Sequence, residues 1–168
     1  ERSISLGDNP DIYLARAEFS PDGTLAVQIQ SRNQQTLDLV FVDPVSGKQT
    51  RVLREEQPHF INLHDDLHFL AGGEQFLWSS ERSGLNQLYL YNKDGSLLRQ
   101  LTNNAWPVAA TDRSGAGVRA MDEQNGVVWF TGYPGTALEK HLFRVPLAGG
   151  PSEQMTADGG WYDAKVAK

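Results

Sequence analysis

The feature that most constrains the fold of this chain is a repeat with a period of about 50 residues. Its clearest mark is a short run of alternating or clustered apolar side chains, the pattern of a buried or half-buried strand. The run reads DLVFVD at 38–43, QLYLYN at 87–92 and HLFRVP at 141–146. Leu39, Leu88 and Leu142 occupy the same place in the three copies, at spacings of 49 and 54 residues. The fold must therefore be built from similar units.

Each copy holds four candidate strands separated by turn signals. After the marked run comes a hairpin turn, PVSGK, KDGS or AGG, in which glycine supplies the positive φ that tight turns need. Four strands in about 50 residues are typical of one β-propeller blade. The sequence therefore predicts an all-β chain of about three four-stranded antiparallel blades, without a long amphipathic helix. The predicted blades are about 11–57, 65–104 and 106–157, and 161–166 is predicted to be the first strand of the next blade.

Composition excludes several classes of function. The net charge of -6 argues against a nucleic-acid-binding protein, which normally carries a basic stripe. No apolar run approaches the length of a membrane span. Without cysteine the chain has no disulfide and no thiolate zinc site, and we predict no cofactor. Propellers close with about four to eight blades. Because three blades and one strand cannot close a ring, and because the first residue is not Met, we expect a segment of a longer protein.

Several motifs, taken in order along the chain, match one enzyme family. They are DIYLAR at 11–16, NLHDDL at 62–67, FLWSSERSG at 76–84, LYLY at 88–91, and LT at 101–102 with Trp106. Together they closely resemble the β-propeller of bacterial dipeptidyl peptidase IV enzymes, in the prolyl oligopeptidase family of serine peptidases. The resemblance implies a fragment of an eight-bladed ring stacked on an α/β-hydrolase domain. It also implies a periplasmic or secreted parent that releases dipeptides from peptides with proline or alanine at the second position.

The resemblance brings no catalytic residue onto this chain. In the family, the hydrolase domain holds the serine–histidine–aspartate site, and a nucleophile elbow of this kind has the pattern G-x-S-x-G. No such pattern occurs in these 168 residues. We therefore predict a scaffold and substrate-access filter, whose partners are the hydrolase domain of the same parent chain and peptide substrates. The alternative is a non-catalytic, TolB-like periplasmic propeller that binds proteins. A G-x-S-x-G elbow downstream in the same reading frame would favour the peptidase.

One connecting segment is the strongest candidate for contact with substrate. By the resemblance, residues 60–66 join two blades at the face turned toward the peptidase active site. Phe60, Asn62 and His64 are then predicted to line the substrate entrance, because functional residues favour such loops. Structural hydrogen bonding by Asn62 and Asp65 is an equally good interpretation of the same segment.

Two charged clusters invite functional interpretations that the sequence supports less well. Glu55 and Glu56 could hold a peptide amino terminus between two carboxylates. They follow an outer strand, however, where a solvated edge with exposed ion pairs is the simpler interpretation. His64 and His68 could be metal ligands, but a loop does not fix them on one face and no third ligand is evident. We predict no metal site.

The large aromatic side chains of the strands are predicted to form the core between neighbouring blades. Trp78 and Trp129 are assigned to matching strand positions, with Tyr89, Tyr91 and Phe143 opposite them. Blades of a propeller pack such side chains face to face. We therefore interpret them as core residues and not as a ligand site.

An open series of blades is expected to leave its terminal faces uncovered. Leu39 and Phe41 at one end, and Phe143 and Val145 at the other, are predicted to be exposed. Large exposed apolar patches are unusual in soluble monomers, and an edge strand at 161–166 would add unpaired backbone groups. The isolated segment is therefore predicted to self-associate.

Overall fold

Each repeat of the sequence forms one four-stranded antiparallel sheet. The structure, a computed structural model, describes residues 3–109 and 116–165. Within these residues there is no helix, and therefore none long and apolar enough to cross a membrane. The predicted all-β fold of propeller blades is confirmed.

Twelve strands occur in the described residues, and neighbours in the chain pair in order within each sheet. The first sheet contains β1 (Ile12–Phe19), β2 (Leu25–Ser31), β3 (Thr36–Val42) and β4 (Gln49–Glu56). The second contains β5 (His68–Phe69), β6 (Gln75–Ser80), β7 (Gln87–Asn92) and β8 (Leu97–Gln100). The third contains β9 (Val118–Asp122), β10 (Val127–Gly132), β11 (His141–Pro146) and β12 (Glu153–Gln154). All twelve lie inside the predicted blade ranges, whose boundaries stay predictions.

After the third sheet, the described part of the chain forms a single β-bridge and no continuous strand. Trp161 pairs with Lys140 in a single parallel bridge, and residues 162–165 lie outside the strands. Val166 falls outside the described residues. A first strand of the next blade at 161–166 therefore stays a prediction.

The chain divides into two compact units. The first comprises Glu1–Leu63 and Lys93–Ser96, and the second comprises His64–Asn92 and Leu97–Lys168. The first unit thus contains β1–β4, and the second unit contains β5–β12.

One face of the first sheet is covered by the N-terminal segment of the same chain. Val27 and Val40 are paired in the register of β2 and β3, and they form a buried cluster with Val42. Ile4 and Leu6, which precede β1, pack against this cluster. The segment therefore removes from water an apolar face that the sheet alone would expose.

The hairpin tip Lys93–Ser96 belongs to the first unit because of two specific contacts. The Lys93 ammonium forms an ion pair with Asp22, in the Pro-Asp-Gly turn between β1 and β2, and it holds the pKa of that carboxyl well below its usual range. Gly95 has a φ of 86°, and a Cβ atom there would overlap the carbonyl oxygen of Val52. Only glycine satisfies both the turn and this close approach.

The two sheets of the second unit share one apolar core. Its buried members are Leu77, Leu88, Leu90, Leu101, Val108, Val118, Val128, Phe130, Phe143 and Val145. The ring of Trp106 packs against this core, with its centroid 4.3 Å from that of Phe143 and 6.2 Å from that of Phe130. Burial of these side chains is the main favourable contribution to the folding of this unit.

One predicted core position is wrong. Trp129 pairs with Arg144 and is half-buried, whereas Phe130 pairs with Phe143 and is fully buried, as Trp78 is. The residue that occupies the place of Trp78 in the third sheet is therefore Phe130. The other aromatic side chains assigned to the core are buried, namely Tyr89, Tyr91 and Phe143.

The four apolar residues predicted to be exposed on terminal faces are all buried. They are Leu39, Phe41, Phe143 and Val145, none more than 5% exposed. Large exposed apolar side chains lie instead on β1, where Leu14 is 60% and Phe19 is 67% exposed. For Phe143 and Val145 the prediction of exposure failed because both belong to the core that the two sheets of the second unit share.

The threonines that end the second and third sheets have the same structural role. Thr102 Oγ1 accepts a hydrogen bond from the Leu88 N–H at 2.9 Å, and Thr156 Oγ1 accepts one from the Leu142 N–H at 3.3 Å. Each threonine thus provides a side-chain acceptor at the point where the ladder to the last strand ends. This role explains why an apolar residue followed by threonine recurs in the repeat.

Candidate functional site

The segment predicted to contact substrate follows β4 and lies outside the strands. Ile61 is buried, and two hydrogen bonds hold its backbone. The Ile61 N–H donates to the Gln34 carbonyl at 2.8 Å, and the Ile61 carbonyl accepts from the Gln30 side chain at 3.1 Å. Its neighbours Phe60 and Asn62 are exposed, Phe60 by 56%. The hydrogen bonds of Ile61 therefore fix the backbone from which the side chains of Phe60 and Asn62 project into solvent.

His64 lies in a different environment, in the second unit. It is only 6% exposed, and its ring meets that of Trp78 edge to face with centroids 4.5 Å apart. Its Nδ1 accepts a hydrogen bond from the Asp66 N–H at 3.2 Å. The structure therefore gives His64 the contacts of an anchoring residue, and direct contact between His64 and substrate stays a prediction.

Asp66 is the most completely enclosed acidic side chain of the segment. It is 0% exposed, and its two carboxylate oxygens accept hydrogen bonds from the N–H groups of Gly117 at 2.8 Å and Val118 at 2.9 Å. His68 Nε2 lies 3.4 Å from the carboxylate. Burial by itself would raise the pKa of Asp66, but the hydrogen bond from His68, the charge interaction with His64 and the two backbone donors together outweigh it and lower the pKa.

Sequence reasoning missed the role of Asp66. The signal that could have found it is its position directly before Leu67 and β5, where the chain enters the core and an acidic residue is almost never fully buried unless it is paired. The partners could not have been inferred, because Gly117 and Val118 lie 51 and 52 residues away.

The paired glutamates of β4 do not form a clamp for an amino group. Glu55 is buried opposite Leu37, whereas Glu56 is exposed opposite Thr36 and lies 3.6 Å from Arg54. Successive side chains of a strand point to opposite faces of the sheet. The two carboxylates therefore cannot close on one ammonium. The exposed ion pair was expected for Glu56, but the burial of Glu55 was not.

No group of three or more histidine or acidic side chains in the described residues is arranged to hold a metal ion. His64 and His68 instead both contact Asp66, one through the backbone N–H and the other through the carboxylate. The segment 64–68 is thus a local hydrogen-bonded structure.

Successive four-stranded antiparallel sheets, each formed by one sequence repeat, define this chain as a segment of a β-propeller. The profile of the family described as the dipeptidyl peptidase IV (DPP IV) N-terminal region matches residues 2–168. The chain belongs to this family.

Solved structures show the same fold. The crystal structure of Porphyromonas gingivalis dipeptidyl peptidase 4 matches 94% of this chain with a TM-score of 0.80 and 24% sequence identity. A provisionally assigned dipeptidyl aminopeptidase IV from Bacteroides ovatus matches 89% with a TM-score of 0.75 and 21% identity. TolB from Acinetobacter baumannii also matches 89%, with a TM-score of 0.58 and 15% identity over 33% of its own length. The chain spans 21% and 23% of the lengths of the two peptidase structures.

Proposed function

We propose that this chain is the N-terminal propeller segment of a dipeptidyl peptidase IV-like serine exopeptidase. In the parent protein it would act as scaffold and substrate-access filter for an α/β-hydrolase domain that carries the chemistry. The observation that carries the proposal is the family match over residues 2–168, which agrees with the sheet-by-sheet architecture. As in the family, the expected substrates are peptides with proline or alanine at the second position.

The exposed residues of the connecting segment are suited to contact an extended peptide. Phe60 offers an aromatic face for apolar side chains, and the Asn62 amide has both donors and acceptors for peptide groups. The burial of Ile61 between them fixes the backbone from which they project. In this proposal Phe60, Asn62 and His64 line the substrate entrance, as the resemblance to the family predicts.

Substrate contact predicts a kinetic effect of Phe60→Ala in the full-length parent. Loss of the exposed ring should raise the KM for a glycyl-prolyl chromogenic substrate by about threefold to tenfold, which corresponds to about 1 kcal/mol of binding, with kcat nearly unchanged. Val45→Ala is the matched control, because Val45 is 75% exposed in a hairpin of the same unit. Equal kinetics in the two variants would contradict substrate contact by Phe60.

The proposal also predicts that the 168-residue chain alone releases no dipeptide. It contains no nucleophile elbow, and binding groups alone give only modest acceleration without a triad. The measurement is incubation with a glycyl-prolyl chromogenic substrate beside the parent enzyme. Turnover by the isolated chain that a serine-directed inhibitor abolishes would contradict it.

A TolB-like propeller that binds proteins is the alternative function, and the match to TolB is the observation in its favour. The reading frame downstream separates the two. A G-x-S-x-G elbow within the next few hundred codons supports the peptidase, whereas a stop codon soon after the ring closes supports the binding protein. Either function is expected to place the parent in the periplasm or outside the cell, which fractionation of the source bacterium would test.

A further inference from the structure

We propose that Arg32 selects peptide substrates that carry an acidic side chain after the dipeptide to be released. The dipeptide itself occupies the site of the hydrolase domain, and the rest of the peptide extends through the entrance that Phe60 lines. There the Arg32 guanidinium binds the carboxylate of the substrate. This inference rests on the proposed peptidase function and deepens it, because it names a class of substrate and the residue that recognises it.

The cleft that contains Arg32 lies at one end of the first sheet, within the first unit. At this end Ile12, which begins β1, pairs with Ser31, which ends β2. Thr36, which begins β3, pairs there with Glu56, which ends β4. The turn between β2 and β3 is therefore at the same end of the sheet as the start of the connecting segment. An open cleft of about 470 Å³ is lined here by Asp11, Ser31, Arg32 and Asn33.

Hydrogen bonds attach this turn to the connecting segment. The Gln34 carbonyl accepts from the Ile61 N–H at 2.8 Å, and the Gln35 side chain donates to the Pro58 carbonyl at 2.7 Å. Gln34 has a φ of 60°, a left-handed conformation that is uncommon for residues other than glycine. Such strain persists where the surrounding structure enforces it, and it is frequent at binding sites. The turn is thus held beside the segment that carries Phe60.

Arg32 is held in place before any ligand binds. Its backbone N–H donates to the Asp11 carbonyl at 3.0 Å, and its Nη2 donates to the Pro10 carbonyl at 3.2 Å. Its Nε lies 3.5 Å from the Asp11 carboxylate, and its guanidinium carbon lies 5.2 Å from the centroid of the Tyr13 ring. These contacts restrict the side chain, so little conformational freedom is left to lose when a ligand binds.

The guanidinium keeps donors for a ligand. Asp11 and Pro10 contact Nε and Nη2, and no side chain or carbonyl among the described residues forms a hydrogen bond or ion pair with Nη1. The Arg32 side chain is 58% exposed. Nη1 and the second N–H of Nη2 form the free end of the planar group, which matches the two oxygens of a carboxylate. An acidic side chain is therefore the ligand that this end of Arg32 suits best.

The test compares amidated pentapeptides that begin with glycyl-proline and carry either glutamate or glutamine at the third, fourth or fifth position. In the full-length parent, kcat/KM should be about twofold to fivefold higher for the glutamate peptide at one or more positions, the size expected of an exposed ion pair. Arg32→Gln should abolish this preference, and high salt should weaken it in wild type. A glycyl-prolyl chromogenic substrate has no residue after the dipeptide, so both proteins should cleave it equally.

Arg51→Gln is the matched control, because Arg51 is a 53% exposed side chain of β4 and the change in charge is the same. This variant should keep the preference for glutamate. Equal kcat/KM for the glutamate and glutamine peptides in wild type would overturn this inference alone, as would a preference that survives in Arg32→Gln or is lost in Arg51→Gln. A wild-type parent that cleaves neither the peptides nor the chromogenic substrate would overturn the proposed function and this inference together.

Discussion

At the scale of single residues, Gly117 shows how the absence of a side chain sets the course of a strand. A Cβ atom there would lie 2.5 Å from Val108 Cγ1 and 2.8 Å from the Ala109 carbonyl oxygen. A flexible side chain could move aside, but the carbonyl belongs to hydrogen-bonded backbone. Gly117→Ala should therefore force β9 to shift and lower the free energy of unfolding by about 1–3 kcal/mol.

Urea unfolding at neutral pH measures this effect. The matched control is Gly72→Ala, because a Cβ atom at Gly72 meets nothing within 4 Å and its backbone is not left-handed. The control should change the free energy of unfolding by less than about 0.5 kcal/mol. Equal effects of the two substitutions would show that the approach to Ala109 does not constrain the strand.

Asp66 makes a prediction about pH at the same scale. Its pKa is lowered in the folded state, so its carboxylate stabilises the fold fully above the ordinary value of 3.8 and loses that effect as pH falls through the lower, folded-state pKa. Asp66→Asn should cost about 2–3 kcal/mol at pH 5, because it removes charged hydrogen bonds to two buried donors. The difference from wild type should shrink at pH 3 and below.

Unfolding by urea of wild type and variant at pH 5, 3 and 2 tests this dependence. Other carboxyl groups titrate in the same range, but they do so in both proteins and cancel in the difference. A difference that stays constant from pH 5 to pH 2 would mean that the carboxylate does not carry the stabilisation.

At the scale of elements, the threonine that follows β8 provides a hydrogen-bond acceptor for a backbone N–H of β7 at the point where β8 has ended. Thr102 is 1% exposed, and its hydroxyl accepts the Leu88 N–H. Thr102→Val keeps the shape and removes the acceptor, which leaves a buried donor unsatisfied. The free energy of unfolding should fall by about 1–3 kcal/mol. Thr50→Val, at an exposed position of β4, is the control and should be nearly neutral. Similar melting temperatures for both variants would contradict this role.

Connection lengths between elements explain why one aromatic position was assigned wrongly. β6 and β7 pair from Ser80 with Gln87, whereas β10 and β11 pair from Gly132 with His141, across a longer connection. Counting back from these pairs places Phe130, and not Trp129, at the position of Trp78. A tryptophan in the corresponding strand of both the second and the third copy was the more visible feature of the sequence, but hydrogen-bond register determines which face a residue occupies.

At the scale of the whole molecule, self-association stays a prediction, but the structure changes the surface expected to cause it. β1 is an edge strand of its sheet and carries the exposed side chains of Leu14 and Phe19. Such an edge favours pairing with another chain. Leu14→Lys should therefore reduce the apparent mass in light scattering at micromolar concentrations. Leu138→Lys, at an 84% exposed position outside the strands, should not. A wild-type mass of 18.6 kDa at all concentrations would contradict self-association.

The sequence by itself determined the number of sheets, their four-stranded antiparallel form and the family. These features depend on local signals, because alternation of apolar residues and glycine-containing turns act over a few residues and recur in each copy. The exposure of Phe60, which the predicted entrance role requires, agrees with its place in a connecting segment.

Only the tertiary structure decided which side chains are enclosed and what they hold. Glu55 is buried although a solvated strand edge was expected there, and Leu39 is buried although its sheet was expected to be open. Asp66 gains its role from two N–H groups more than 50 residues away. Burial and hydrogen-bond partners of this kind depend on how distant segments pack, and local periodicity carries no record of that packing.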